Sequence, residues 1–449
     1  MGAYLSEPVT IKRVEIPGDE ASSDLSYACC SMQGWRRHQE DAHIAPTQIN
    51  PKVKIFGVYD GHGGADVARF VGNNLVRVLL QDPHFQKEQY ETALCNSYLK
   101  IDELILTNKG QKELEKLNEK ALEDEEEDAK LMSRIKSEGK TSKSKSSVVY
   151  KKVKNSLDCC KPQRNIAEKE IKASNDAAQA PRSKLDEKIR KFIEQKLAGR
   201  CNVDMDEKCS KGNLESTKEA ENSKLDIDDV HFGVHSGCTA TTCLIVDNKK
   251  LVCSNAGDSR CVLSRKGVAI GLSNDHNPDV QSEVDRIEKA GGTVSEDGRV
   301  EGNLNLSRAL GDLMYKRDRK LKPCEQMISG YPEVIEMDIC ADDEYVIIGC
   351  DGIFNVLTNQ EVVDFVLKGV QQKHTLAEIA ANLCEECMAA DASGDGTGCD
   401  NETVIIVRLK GNNKYTSARS GEISTNTKKR LIEISKSSGH STNKRTKSK

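Results

Sequence analysis

Apolar and polar positions divide this chain into two patterned regions separated by a long unpatterned one. The first patterned region covers residues 25–106. It opens with a strand-like run, LSYACCSMQG, passes through a polar stretch, and reaches an apolar run over 53–59. A helix follows over 65–80, where Val67, Phe70, Val71, Leu75, Val78 and Leu79 fall on one face at helical spacing. Another helical pattern continues through Tyr98 and Leu104. Order resumes near Gly237. TATTCLIV and LVCSNAG flank a polar turn at 247–250 and read as a hairpin, and RCVLSR and VAIGLS around Lys266-Gly267 read as a second. Residues 280–290 predict a helix closed by Gly291-Gly292. An apolar strand over 345–350, helices over 360–370 and 376–390, and a last strand over 403–409 complete the pattern. Strands come in pairs and helices in separate runs, so an α+β fold with antiparallel sheets is expected rather than βαβ winding.

The intervening stretch, about 107–230, has few aromatics, an acidic run over 123–128 and Ser/Lys alternation around 141–147. Its apolar residues are too sparse to offset the entropy of ordering so long a segment. It reads as a largely flexible insertion whose charge runs are solvated, with LDEKIRKFIEQKL (185–197) as its best helix candidate. Residues 1–22, with Pro8 and Pro17, read as an extended arm. The last 39 residues carry ten Lys and Arg against two acidic residues and read as a disordered basic tail. The expected organisation is thus an arm (1–22), one folded unit over 23–410 interrupted by the insertion, and a tail (411–449).

Composition narrows the class. Over 449 residues, 37% apolar and 31% charged content agrees with long solvated segments, and a net charge of −5 argues against a chain built to bind nucleic acid. No run of 18 apolar residues spans a membrane and no secretory signal precedes the first strand. Most of the 17 cysteines lie inside apolar runs (Cys243, Cys253, Cys261, Cys350), which reads as small buried hydrophobes in a reducing compartment, the cytoplasm by default. Met1-Gly2-Ala3-Tyr4-Leu5-Ser6 fits the N-myristoylation pattern and makes Gly2 a lipidation candidate. One acyl chain binds membranes only marginally, and Lys12-Arg13 add a thin basic patch, so the expectation is reversible membrane association. Lys428-Lys429-Arg430 is a weak nuclear-localisation candidate beside the blander reading of an inert tail.

Three aspartates sit at the ends of strand-like runs: Asp60 in KIFGVYDGHGG, Asp351 in YVIIGCDGIF and Asp400 in GTGCDNETVIIV. Carboxylates brought together repel unless a cation holds them, and oxygen-only ligands favour hard ions such as Mg²⁺ or Mn²⁺. Asp60-Gly61-His62-Gly63-Gly64 lies between a strand and a helix, where Gly61 lets a backbone carbonyl join the carboxylate; the bland alternative is a tight turn. Arg36-Arg37-His38-Gln39-Glu40-Asp41 puts an arginine pair beside two carboxylates, suited to phosphate and to waters around a metal. Asp258 ends another strand, and the LSRALGD run closes on a Gly-Asp turn at Asp312. Two matches are weaker. Asp391, Ser393, Asp395 and Glu402 nearly fit an EF-hand loop, but a β-branched run follows instead of a helix. Cys384 and Cys387 form a CxxC within a helical pattern with no second pair nearby, which reads as structural.

In order, GWRRHQEDAH, FGVYDGHGG, SGCTA, NAGDSR, LSRALGD, GCDGIFNVL and CDNETVIIV resemble the motif series of the metal-dependent, type-2C Ser/Thr protein phosphatases. The resemblance covers roughly 25–106 and 231–410. It implies a four-layer α/β/β/α sandwich with two Mg²⁺ or Mn²⁺ ions at its edge. Asp60 would bridge both ions, the Gly61 carbonyl would ligate one, and Asp351 and Asp400 the other. Glu40 and Asp41 would act through waters of the ions, Arg36 would bind substrate phosphate, and His62 would be the general acid. The family's Asp-Gly-x-Trp-Asp is Asp351-Gly352-Ile353-Phe354-Asn355 here, so a third ion at Asp258 and Asn355 is expected to bind more weakly. The implied activity is hydrolysis of phosphoserine and phosphothreonine in proteins by a metal-activated water, in a monomeric enzyme. The competing reading is a catalytically inactive phosphatase fold acting as a binding module.

Overall fold

The computed structural model describes residues 4–16, 25–50, 52–138 and 224–409. In chain order the strands are β1 (Arg13–Glu15), β2 (Ser26–Met32), β3 (Ala42–Gln48), β4 (Val53–Tyr59), β5 (Gly61–His62), β6 (Gly237–Cys238) and β7 (Ala240–Val246). They continue with β8 (Lys250–Ala256), β9 (Arg260–Arg265), β10 (Val268–Gly271), β11 (Leu310–Gly311), β12 (Glu333–Asp338), β13 (Asp343–Gly349) and β14 (Glu402–Arg408). The helices are α1 (Asp66–Gln81), α2 (Pro83–Gln86), α3 (Tyr90–Ile105), α4 (Asn108–Glu138), α5 (Gln281–Lys289), α6 (Asp351–Phe354), α7 (Asn359–Gln371) and α8 (Leu376–Cys387).

A six-stranded sheet runs β1-β2-β14-β13-β9-β10 and a five-stranded sheet runs β12-β8-β7-β4-β3; their strands pair antiparallel throughout. A small ribbon, β11-β6-β5, lies beside them. Period-two alternation sorts the strand residues. Phe56, Val58, Cys243, Ile245 and Cys253 share one core with β2, β9, β13 and β14, whereas Ile55, Tyr59, Leu244 and Val252 pack on α1 and α3. Tyr27 and Phe56 meet edge to face across the two sheets with ring centroids 6.0 Å apart. The outer face of the six-stranded sheet is covered by α7 and α8. This is the four-layer α/β/β/α arrangement. Strands covered on both sides explain why their sequences read as nearly unbroken apolar runs.

Several expectations change. The polar stretch after β2 contains β3, an edge strand broken at Pro46 by a register shift between Ile44 and Thr47. The arm does not stand apart: β1 pairs with β2, Ile11 and Val14 are buried, and the Leu5 amide donates to the Trp35 carbonyl at 2.9 Å. Lys12 is no membrane patch either, being 2% exposed with its Nζ 2.6 Å from Glu385. Insertion character does not begin at 107. Helix α4 buries Leu114 and Ala121, and its acidic run is not simply solvated: Asp124 pairs with Arg69, Glu125 with His38 and Asp128 with Arg13. Gly2, the 185–197 candidate helix and the basic tail lie outside the described residues. Among those residues no helix is long and apolar enough to cross a membrane, and the cysteines are free thiols, buried except Cys324 and Cys340.

Candidate active site

The pairing order brings one set of strand ends together. Asp60 follows β4 and leads into Gly61-His62 of β5; Asp258 lies in the turn between β8 and β9; Asp351 opens α6 after β13; Asp400 precedes β14. The loop from β2 to β3 carries Arg36, Glu40 and Asp41. Because β4 and β8 belong to one sheet and β2, β9, β13 and β14 to the other, these side chains meet at one edge of the sandwich. Arg36, Glu40, Asp60, Asp258, Asp351 and Asp400 line a cavity of about 90 Å³, with Gly61, His62 and Asn401. That volume admits ions and a few waters, at roughly 30 Å³ per water, and not an organic cofactor. A larger hollow of about 720 Å³ lies away from these carboxylates, between α3 and residues 313–326, and its lining acids and bases balance.

The carboxylates hold one another in an unfavourable state. Withdrawal from water, then repulsion from Asp41, Asp351, Asp400 and Asp258, holds the Asp60 carboxyl well above the usual range. Burial pushes Asp41 up to about 7, although the Thr403 hydroxyl donates to its Oδ2 at 2.6 Å. Burial and Asp400 push Asp351 up to about 6, and burial and Asp351 raise Asp258 strongly. The Oδ1 of Asp41 is buried without a hydrogen-bond partner. Crowded carboxylates and an orphaned oxygen are what a divalent cation would neutralise, and the all-oxygen donor set fits Mg²⁺ or Mn²⁺. One oxygen each of Asp41 and Asp60 and the Cys350 sulfur lie within 4.8 Å of one another. The sulfur is a poor ligand here: burial holds its thiol well above the usual range, and it donates to the Asn401 carbonyl and accepts from the Thr403 amide.

Local contacts set each group's position. A Cβ on Gly61 would lie 2.3 Å from the Glu40 carbonyl oxygen, so only glycine lets this turn close. Gly352 is equally confined, 2.0 Å from the Asn401 carbonyl by the same measure, which lets α6 bring Asp351 beside Asp400. Arg36 does not stand free for an anion; its Nη2 is 2.5 Å from Asp400 Oδ2, with the side chain 44% exposed. Asn355 donates its side-chain amide to Asp351 Oδ2 at 2.9 Å and so braces that carboxylate. His62 Nε2 lies 2.7 Å from Asp312 Oδ2. Burial lowers the imidazole pKa, but the Asp312 charge and hydrogen bond outweigh it and leave His62 raised.

Three residues escape the sequence pattern. Asn401 staples the Arg36 loop to β14, donating to the Gln33 and His38 carbonyls and accepting from the Glu40 amide at 3.0 Å. Only its place beside Asp400 could have signalled this. Asp312 was visible merely as a Gly-Asp turn. Glu402, at the start of β14, is fully buried with both carboxylate oxygens unpartnered, and burial with Asp400 nearby pushes it up to about 10. The EF-hand match dissolves: Asp391 and Asp395 accept from the Ser393 and Thr397 amides in tight turns, and the chain runs on into β14. Cys384 and Cys387 are buried on α8.

The sequence model of the protein phosphatase 2C family matches residues 25–121 and 133–396. The chain is 32% identical over 410 residues to probable protein phosphatase 2C 21 of Arabidopsis thaliana, covering 91% of this chain and 93% of that protein. It is 34% identical over 414 residues to protein phosphatase 2C 1 of Paramecium tetraurelia, covering 91% and 100%. Among solved structures, a serine-threonine phosphatase 2C from Toxoplasma gondii superposes with a TM-score of 0.50 at 15% identity, over 91% of this chain and 98% of that one, a likeness of fold.

Proposed function

The chain belongs to the protein phosphatase 2C family and is a metal-dependent protein serine/threonine phosphatase, and we propose that its reaction runs in the carboxylate-lined cleft, with Asp60, Gly61, Asp351 and Asp400 holding two Mg²⁺ or Mn²⁺ ions. The observation that carries this is the convergence of strand-end carboxylates from both sheets on one cavity, where they raise one another's proton affinity. When bound, the ions supply positive charge to the carboxylates and the phosphate and lower the pKa of an attacking water. Glu40 lines the cleft and Asp41 has an oxygen within 4.8 Å of one of Asp60, and both would orient water there. Asp258 and Asn355 would hold at most a weak third ion, since Asn355 carries no charge and its amide is given to Asp351.

Arg36 exchanges its carboxylate partner for substrate phosphate. Its side chain is nearly half exposed, and Asp400 would give up that contact were its own charge taken by a cation. His62 serves as general acid. With Nε2 engaged by Asp312, Nδ1 makes no hydrogen bond among the described residues and is the nitrogen able to protonate the leaving alkoxide. Phosphate release from a phosphothreonine peptide by Arg36→Ala tests the binding role. KM is expected to rise at least tenfold with a smaller change in kcat; a wild-type KM would refute it.

The cellular reading is narrower. Phosphorylated proteins are the substrates. N-myristoylation at Gly2 remains part of the proposal, but with Lys12 buried the second signal for stable anchoring must come from elsewhere. Gly2→Ala should shift any membrane-bound fraction to the soluble fraction, and an unchanged distribution would remove the acylation.

A further inference from the structure

Asp312 has no part in the reading above beyond its contact with His62, yet the fold invests heavily in it. It is 2% exposed and holds a left-handed backbone with φ 50°, a conformation that costs a side-chain-bearing residue and that Asp and Asn adopt most readily. The backbone around it is tied on every side. The Asp312 amide donates to the Ser236 carbonyl and the Gly311 amide to Asp102 Oδ1, both at 2.9 Å. Lys316 Nζ then bridges Asp102 Oδ2 at 2.6 Å and the Ala309 carbonyl at 2.7 Å. Gly237 closes the pocket: a Cβ there would lie 2.3 Å from Asp312 Oδ2 and 2.8 Å from His62 Nε2. A strained residue, a buried charge and a braced turn aim one carboxylate oxygen at one imidazole nitrogen.

We propose that Asp312 is the positioning residue for His62: it accepts a hydrogen bond from Nε2–H, fixes the ring plane, and leaves Nδ1 facing the ester oxygen of the leaving serine or threonine. The inference rests on His62 being the proton donor. In the reaction the bond from phosphorus to the water oxygen forms and the bond to the ester oxygen breaks. The electron pair of the broken bond goes to the side-chain oxygen, which takes the Nδ1 proton. The attacking water loses one proton to solvent and keeps the other on the product phosphate. Neutral imidazole, still donating Nε2–H to Asp312, regains its proton from solvent before the next turnover. A carboxylate behind the ring makes one orientation dominant and stabilises the charged imidazole, the logic of carboxylate–histidine pairs generally.

Asp312→Asn tests this with little disturbance, because asparagine matches the size and tolerates the left-handed backbone. The readout is kcat on a phosphothreonine peptide, whose alkoxide needs a proton, against p-nitrophenyl phosphate, whose phenolate needs little help. Asp312→Asn is expected to lower kcat on the peptide by roughly 10- to 100-fold, at least tenfold more than on the aryl phosphate, with KM for both within threefold of wild type. In a His62→Gln background the same change should add nothing. Equal losses on both substrates, or additive losses in the double variant, would make Asp312 merely structural. If His62→Gln is selective for the peptide but Asp312→Asn is not, this inference alone fails. If His62→Gln is not selective, the proton-donor reading fails and takes this one with it. Should Asp312→Asn not fold, ¹⁵N-histidine NMR of the wild-type enzyme decides. A downfield Nε2 proton absent from His62→Gln is expected, and an Nε2 without a bound proton would overturn the proposal.

Discussion

Gly61 shows how little room the cleft leaves at the scale of single residues. The 2.3 Å that separates a hypothetical Cβ from the Glu40 carbonyl means that Gly61→Ala must displace the turn between Asp60 and His62. A loss of at least tenfold in kcat/KM is expected from phosphate-release kinetics, and wild-type kinetics would show that the turn has slack. Asp60 is held among like charges, so Asp60→Asn should abolish turnover while leaving the fold intact. In chelator its melting temperature should match or exceed that of wild type, because a repelling charge has been removed. Glu402 is a liability of another kind. Its oxygens are buried and unpartnered, and an unsatisfied buried polar group costs about 1–3 kcal/mol. Glu402→Met, which removes the unpartnered oxygens from beside Asp400 and Asp41, should raise the melting temperature by a few degrees; a drop would mean the carboxyl has a partner in the cation-loaded enzyme.

Elements with two covered faces or a strong 3.6 period were readable from the sequence; elements completed by others were not. Val53–Tyr59 and the α1 stripe announce themselves because each residue's burial follows its own local pattern. The edge strand β3 hides behind Pro46 and its register shift, since an edge tolerates a missing donor. The three residues of β1 are legible only once β2 is beside them. Helix α4 has too few apolar residues to signal packing, and docking of Leu114 and Ala121 with three ion pairs does the rest. The segment around α5 makes a pH prediction. Burial and the Arg308 charge lower the His276 pKa to about 4, whereas the unfolded chain binds that proton near 6.5. The unfolded state therefore holds more protons between these values, so this stability is whole above pH 6.5 and is lost as pH falls toward 4, on the order of 3 kcal/mol. Burial raises Glu283, but Arg308 and Arg286 outweigh it and bring it to about 2, so its contribution fades only below about pH 4.5. Thermal melts of wild type and His276→Gln between pH 7 and 4 check this. The variant should show the smaller decline, and parallel curves would refute the assignment.

At the scale of the whole molecule, the site exists only because two sheets end at the same edge. The Glu40 amide and Asn401 side chain, 361 positions apart, are hydrogen-bonded neighbours. The motif series named the residues proposed to carry the chemistry; it did not show which ends meet, since that depends on a pairing order with β14 between β2 and β13. Nor did it show Arg36 resting on Asp400, or Asp312 behind His62, because both contacts join side chains from separate motifs. The central claim is that these converged carboxylates serve a divalent cation in phosphate-ester hydrolysis. The direct measurement is phosphate release from a phosphothreonine peptide by the full chain in Mn²⁺ or Mg²⁺, in excess chelator, and after the ion is restored. The account predicts turnover that chelation abolishes and the returned ion recovers. Release that chelator leaves unchanged, or no release from folded protein supplied with either ion, would contradict it.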